Sequence, residues 1–487
     1  MRRPFAWLLL AAFALSAGGC RRQPEGAVKV VVIGGAPKLR DPALGPLGPA
    51  DAVLLQNVAQ GLVRFDPSGN IVGGLAERWN VSDDGMSYLF RIASTEWPDG
   101  RKITADQVAR LLKRAIAPRS KNPLKDSLGA IDDVVAMTDR VIEIRLRAPR
   151  PNLLSLLAQP ELAILRDGQG TGPFTAAPAT SEGAVRLTRE LASPDEETTT
   201  REEVMLGGDA GREAIRQFAA AQSDLVLGGT FDDLPEAQHA SLPRGALLFD
   251  PASGLFGLVP AQSGGPLDKP AVRQLLSEAI DRDALVAALA VPNLVPRATL
   301  LEPGLDGVPA PQAPAWTATA FADRLAGLQA QANRLFAGQE PRPAIRVTLR
   351  DGPGSIMLLH LLMRDWGALG FTVERADSTA KADFILVDEV APSSSPAWFV
   401  RHFRCDAVRV CDADADKLME AARDSPVPAQ RYALLAQAAA MIDDKQLFIP
   451  LAAPVRWSLV SRRIAGFAGN RFARHTLTGL EQSNAGD

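Results

Sequence analysis

One segment of the sequence, residues 74–118, sets several local structures in a fixed order. An Asp-Gly pair ending at Gly85 favours a turn of positive φ, and apolar and polar residues alternate after it, which predicts a hairpin over 81–92. Thr104 then stands before an amphipathic helix, and Pro118 lies just past the end of that helix. The segment therefore predicts a small α+β unit as one part of the molecule.

The same segment resembles the family 5 extracellular solute-binding proteins, which are the dipeptide-, oligopeptide- and nickel-binding receptors of ABC importers. That family has two Trp-bearing strands, two Asp-Gly turns and a Thr-Ala helix start in this order. The matching residues are Leu75, Trp79, Asp84, Gly85, Tyr88, Phe90, Arg91, Trp97, Asp99, Gly100, Thr104, Ala105, Asp106 and Val108. A second block of matches is Val272, Arg273, Ala279, Ile280, Asp281 and Arg282.

The resemblance extends over residues 28–480 and implies an α/β, two-lobed periplasmic-binding-protein type II fold with an additional small α+β domain. Strands and helices alternate over 345–387, as expected for βαβ-like units. The expected division is a signal peptide at 1–19, a small additional domain at 46–165, lobe II at 263–450, and a discontinuous lobe I at 20–45, 166–262 and 451–480.

The first twenty residues carry a basic start, an apolar run and a cysteine preceded by small residues. The run is too short to span a bilayer and is typical of an export signal. Its ending resembles a lipobox, which predicts a mature chain that begins at a lipid-modified Cys20; the alternative is an ordinary signal peptide with an incidental cysteine. Several acyl chains on one cysteine give stable anchoring. We therefore expect a lipid-anchored protein on the periplasmic side of a bacterial cell envelope.

Charge and cysteine usage narrow the class of protein further. A formal net charge of −3 without long charged runs argues against a nucleic-acid partner. In an exported chain Cys405 and Cys411 are most simply a small disulfide loop, with a metal clip as the rival interpretation. The resemblance supports the disulfide, because dipeptide receptors of the family carry a similar loop. The four histidines are scattered and no catalytic motif is present, so we expect no metal, no cofactor and no enzyme activity.

The resemblance also implies a ligand anchor. In peptide-binding relatives an Asp after a strand of the second lobe pairs with the α-ammonium group of the ligand. Asp388 stands at the matching place, directly after an apolar strand that ends with Leu386 and Val387, and four residues before a Pro. A desolvated carboxylate that faces an ammonium contributes more than an exposed pair. The alternative is that Asp388 only caps a turn.

Three further residues complete the expected ligand site. The resemblance places the backbone of Gly48 and Pro49 against the main chain of a ligand. Trp398 is a candidate for an aromatic lining of the cleft, and core packing is its alternative role.

Several pocket residues of the family are replaced in this chain; Ala391, for example, stands where a second acidic residue is usual. Two functions of different class follow. The first is a monomeric, lipid-anchored receptor that captures a small peptide or other amine-bearing solute and delivers it to the permease and ATPase subunits of an ABC importer. The alternative is a degenerate solute-binding lipoprotein with a role in sensing, chaperoning or envelope interaction.

Overall fold

The structure is a computed structural model and describes residues 26–178, 183–192, 199–339 and 341–482. Cys20 lies outside these residues. The described strands are β1 (Val28–Ile33), β2 (Val63–Phe65), β3 (Ile71–Gly73), β4 (Ala76–Val81), β5 (Ser87–Ile92), β6 (Ile131–Thr138), β7 (Val141–Leu146), β8 (Thr175–Pro178), β9 (Val185–Ala192), β10 (Thr199–Asp209), β11 (Leu225–Thr230), β12 (Leu247–Phe249), β13 (Gly254–Pro260), β14 (Ile345–Thr348), β15 (Val373–Arg375), β16 (Phe384–Val390), β17 (Ile449–Pro450), β18 (Arg456–Val460), β19 (Ile464–Ala465) and β20 (Glu481–Gln482). The described α-helices are α1 (Pro49–Val58), α2 (Ala105–Ile116), α3 (Leu153–Leu157), α4 (Gly211–Ala219), α5 (Leu234–His239), α6 (Pro270–Glu278), α7 (Arg282–Leu289), α8 (Phe321–Leu335), α9 (Pro353–Gly367), α10 (Pro396–Arg401), α11 (Ala413–Asp424) and α12 (Pro428–Asp444). None of these helices is both long and apolar enough to cross a lipid bilayer.

Lobe I is built on a seven-stranded sheet in the order β12-β18-β11-β1-β10-β9-β8. Strand β1 lies inside this sheet and runs parallel to both β10 and β11. Four of its six residues are buried, as the nearly continuous apolar run predicts for a strand covered on both faces. Helix α1 covers one face, where Val53, Leu54 and Val58 share a core with β1.

Lobe II is built on a second, five-stranded sheet in the order β15-β14-β16-β13-β17. Strand β14 runs parallel to β15 and β16, whereas β13 is antiparallel to β16. The indole nitrogen of Trp366 in α9 donates to Leu276 O of α6 at 2.9 Å, so two helices of this lobe are tied together inside its core.

The small domain has a four-stranded antiparallel sheet, β4-β5-β7-β6, against which α2 packs. Gly85 has the positive φ that the hairpin requires, at 67°. Thr104 caps α2, and Gln107 completes a capping box by returning its side chain to the Thr104 backbone. The same side chain accepts a hydrogen bond from the Trp97 indole at 3.0 Å, so these local contacts account for the order of residues in the segment.

The chain crosses between the two lobes twice in the described residues, from β12 to β13 and from β17 to β18. Two boundaries expected from the sequence therefore need correction. Strand β13 pairs with β16 and belongs to lobe II, so lobe I ends near residue 250 and not at 262. Helix α1 packs on the lobe I sheet, so the small domain begins after this helix and not at 46.

Gly254 opens β13 immediately after the first crossing, with a φ of 153°. A Cβ atom at this position would lie 2.0 Å from Glu389 O on the neighbouring strand. Only glycine fits here, because any side chain would push β13 away from β16.

Candidate functional site

Asp388 lies within β16, opposite Phe256 of β13, and not after the end of its strand as the sequence suggested. Its side chain is 2% exposed, and both of its oxygens have cationic partners. Arg456 Nη1 of lobe I donates to Oδ1 at 2.8 Å, and Arg350 Nη2 of lobe II donates to Oδ2 at 2.5 Å. Arg456 also donates to the Asp388 carbonyl at 3.1 Å. The carboxylate thus holds the two lobes together beside the second crossing.

Arg350 extends this arrangement to a second aspartate. Its Nε lies 2.8 Å from Oδ2 of Asp232, which follows β11 of lobe I, and Ser355 of lobe II donates to Oδ1 of Asp232 at 2.6 Å. Burial raises the pKa of Asp232, while the Ser355 hydrogen bond and the Arg350 charge act in the opposite direction. Burial alone would lower the pKa of Arg350, but Asp388 and Asp232 outweigh it and the pKa is raised. We call Asp232, Arg350, Asp388 and Arg456 the interlobe charge cluster.

The other predicted site residues are not all gathered at this cluster. Leu386 packs against the large core, which contains residues of both lobes, and Val387 packs against a second core that contains Trp398. Gly48 and Pro49 begin α1 in lobe I, and no hydrogen bond among the described residues joins them to β16. Their roles in ligand binding stay predictions.

Trp398 is buried in α10 and is also one wall of a cavity between lobe II and the small domain. Its ring lies 4.5 Å from that of His402 and 5.0 Å from that of Phe399, measured between centroids. Its burial agrees with core packing, and a role in lining the ligand cleft stays a prediction. The cavity has a volume of about 160 Å³ and does not include Asp388.

Cys405 and Cys411 form a disulfide, with their Cα atoms 5.1 Å apart. The loop that it closes connects α10 to α11, and both helices contribute residues to the cavity wall. The described residues contain no group of three side chains suited to bind a metal ion.

The sequence did not predict the arginines around Asp388, nor those that line the cavity beside Trp398. Arg350 and Arg456 reach Asp388 across 38 and 68 residues of chain, a separation at which no local spacing pattern indicates a contact. The arginines of the cavity are equally dispersed along the sequence. The only available signal is an arginine with no acidic residue close to it in the sequence, and this signal does not identify the residue that the arginine contacts.

The chain is similar to known solute-binding proteins in both sequence and fold. A family model described as bacterial extracellular solute-binding proteins, family 5 middle, matches residues 70–384. The di/tripeptide-binding protein 1 of Pseudomonas aeruginosa is 24% identical, over 90% of this chain and 92% of the relative. The murein tripeptide-binding protein MppA of Escherichia coli superposes with a TM-score of 0.78 at 17% identity, over 94% of this chain and 98% of that one. OppA of Haemophilus influenzae, in complex with a peptide, superposes with a TM-score of 0.77 at 17% identity, over 94% and 100%.

Proposed function

Because this chain belongs to the family 5 bacterial extracellular solute-binding proteins, we propose that it is the lipid-anchored substrate-binding protein of an ABC importer. In this proposal it captures a small peptide or other amine-bearing solute between its lobes. Two lobes that are joined by two short crossings can close on a ligand by a hinge motion. The observation that carries the proposal is this architecture, together with the nearly full-length likeness to a protein named for di- and tripeptide binding.

Asp388 is the proposed partner of the ligand ammonium, and its two arginines differ in how readily they would yield. The Arg350 side chain is 54% exposed, whereas that of Arg456 is 14% exposed. An ammonium group that replaced Arg350 Nη2 at Asp388 would keep the Asp388 carboxylate compensated, and Arg350 would keep its ion pair with Asp232 through Nε. Arg456 would stay in place and continue to connect the lobes.

The anchor and the partners complete the proposal. Cys20 would carry the lipid that keeps the protein on the periplasmic side of a membrane, and a permease with its ATPase would receive the solute from a monomeric receptor. Removal of the thiol by Cys20→Ala should release the protein into the aqueous phase in detergent partitioning. Equal membrane association of both forms would contradict a lipid anchor.

One observation favours the second candidate, a solute-binding lipoprotein without a transport role. The chain itself supplies the cations that neutralise Asp388, and this arrangement connects the lobes through protein groups alone. Such a molecule would present a closed surface to an envelope partner.

Titration calorimetry of the mature protein with di- and tripeptides, paired with uptake of the same peptides by cells with and without the gene, separates the two candidates. Binding together with gene-dependent uptake is the result that we expect. Absence of both would overturn the transport proposal and favour the second candidate.

A further inference from the structure

The cavity between the small domain and lobe II has walls from two parts of the chain. Residues 126–127, 129–130, 150–152 and 156 form the small-domain side, and helices α10, α11 and α12 form most of the lobe II side. The two sides are joined directly: Asn152 donates to Ser393 at 3.0 Å. The cavity has a volume of about 160 Å³, which is close to the roughly 150 Å³ of an engineered protein cavity that holds a benzene molecule. The space therefore suits one small organic group.

Three guanidinium groups at this cavity form no ion pair with a carboxylate among the described residues. Arg150 donates to the carbonyls of Pro149 and Arg423, and Arg431 donates to those of Pro149 and Ser425. Arg401 forms neither a side-chain hydrogen bond nor an ion pair with any described residue. Arg431 is 4% exposed, and its Nε is buried without a hydrogen-bond partner.

The remaining charged residues of the wall form no ion pair with Arg150, Arg401 or Arg431 among the described residues. Arg404 and Arg423 each have a carboxylate of their own, Asp406 and Asp424. The acidic residues of the wall, Asp126 and Glu420, form no ion pair with any described residue.

Burial lowers the pKa values of these three arginines. Burial, with the like charge of Arg431 adding to it, lowers the pKa of Arg150 to about 10. Burial also lowers the pKa of Arg401 to about 10, although Asp126 and Glu389 oppose the shift. Both groups stay protonated at neutral pH, so each remains a partly buried positive charge that an anion would stabilise.

The rest of the wall combines a few hydroxyl and amide groups with apolar side chains, among them Leu156, Trp398, Met419 and Leu435. A fully hydrated inorganic anion would gain little from these side chains, whereas an apolar body would bury its surface against them. We propose that this cavity binds a small organic acid, with its carboxylate at the Arg150, Arg401 and Arg431 guanidiniums and its apolar body against Trp398 and Leu435. The site is separate from the Asp388 anchor and does not depend on peptide transport.

Benzoate and its neutral isostere benzamide are the probes for this site, because their ring matches the size of the cavity. Calorimetry on the mature protein should show benzoate binding and at least roughly tenfold weaker binding of benzamide, the difference expected for a hydrogen-bonded charge. Arg401→Gln should weaken benzoate to a similar degree, and Arg401→Lys should recover part of the loss. Arg401 is the residue to change because its side chain supports no hydrogen bond of the fold.

The control is Arg110→Gln, which removes an exposed arginine of α2 that pairs with Asp106, and it should leave benzoate binding unchanged. Equal binding of benzoate and benzamide, no binding of either, or indifference to Arg401→Gln would overturn the site. Inorganic phosphate that binds as tightly as benzoate would overturn the assignment to organic acids. Peptide binding is a separate measurement, so the failure of one proposal does not imply the failure of the other.

Discussion

The interlobe charge cluster and the arginine-lined cavity both place guanidinium groups beside the segment that runs from β16 into α10. In the cluster each cation faces a carboxylate, whereas in the cavity the three unpaired arginines face only backbone carbonyls or no partner. The carboxylate to which the resemblance assigns the ligand ammonium, that of Asp388, is therefore already compensated by the protein's own cations, and the arginines without an ion pair lie at the cavity. A motif locates a residue in a fold, but the residues around it decide whether its charge is free to bind.

The largest expected effect comes from removing the carboxylate at the centre of the interlobe charge cluster, which tests whether its ion pairs stabilise the fold. Asp388→Asn leaves Arg456 buried without a counter-charge, and we expect the free energy of unfolding to fall by about 3 kcal/mol. The sequence predicted Asp388 only as a ligand anchor or a turn cap, and the burial of its side chain between two arginines is the reason to expect an effect on stability. Urea denaturation followed by circular dichroism measures it.

The matched control is Asp351→Asn, which removes an aspartate that is 97% exposed and pairs with Arg375. Its effect should stay below about 0.5 kcal/mol. Equal losses for the two variants would mean that the cluster contributes no more than a surface ion pair.

The disulfide tests the cavity side of the comparison, because its loop joins two helices of the cavity wall and none of the cluster residues. The double variant Cys405→Ser with Cys411→Ser should lose about 2 kcal/mol of stability, as expected for a short closed loop. Reductant should bring the parent protein to the same value and should not affect the variant. A parent protein that keeps its full stability after both thiols are shown to be free would contradict this expectation.

The smallest expected effect is the contribution of Asp232, the second aspartate of the interlobe charge cluster, to the pH dependence of stability. Because burial raises the folded-state pKa of Asp232, this group contributes stability below its ordinary pKa of about 3.9, and the contribution is lost as pH rises through the raised value. The stability of Asp232→Asn relative to the parent should therefore increase with pH across this acidic window. Urea titrations at a series of pH values measure the difference. A relative stability that decreases with pH would show that Arg350 outweighs burial.

The parts of the fold that the sequence predicted are those set by neighbours along the chain. Gly85 and Thr104 have the predicted roles because a turn and a helix cap involve residues only a few positions apart. The assignment of β13 to lobe I was wrong because all seven of its residues are buried, and a strand of that kind shows no periodicity that identifies its sheet. The partners of Asp388 were not predictable, since they come from distant positions that only the folded chain brings together.

Gly254 has a practical consequence for anyone who would engineer this molecule as a biosensor. Stiffening a hinge usually begins with replacing its glycines by alanine or proline, which restricts the unfolded chain. Here a single added carbon would strike Glu389 O and displace the strand that carries Asp388. The second crossing is no easier to change, because Leu451 donates its N–H to Phe256 O of β13 and both Ala452 and Val455 are buried, so the hinge tolerates little substitution at either crossing.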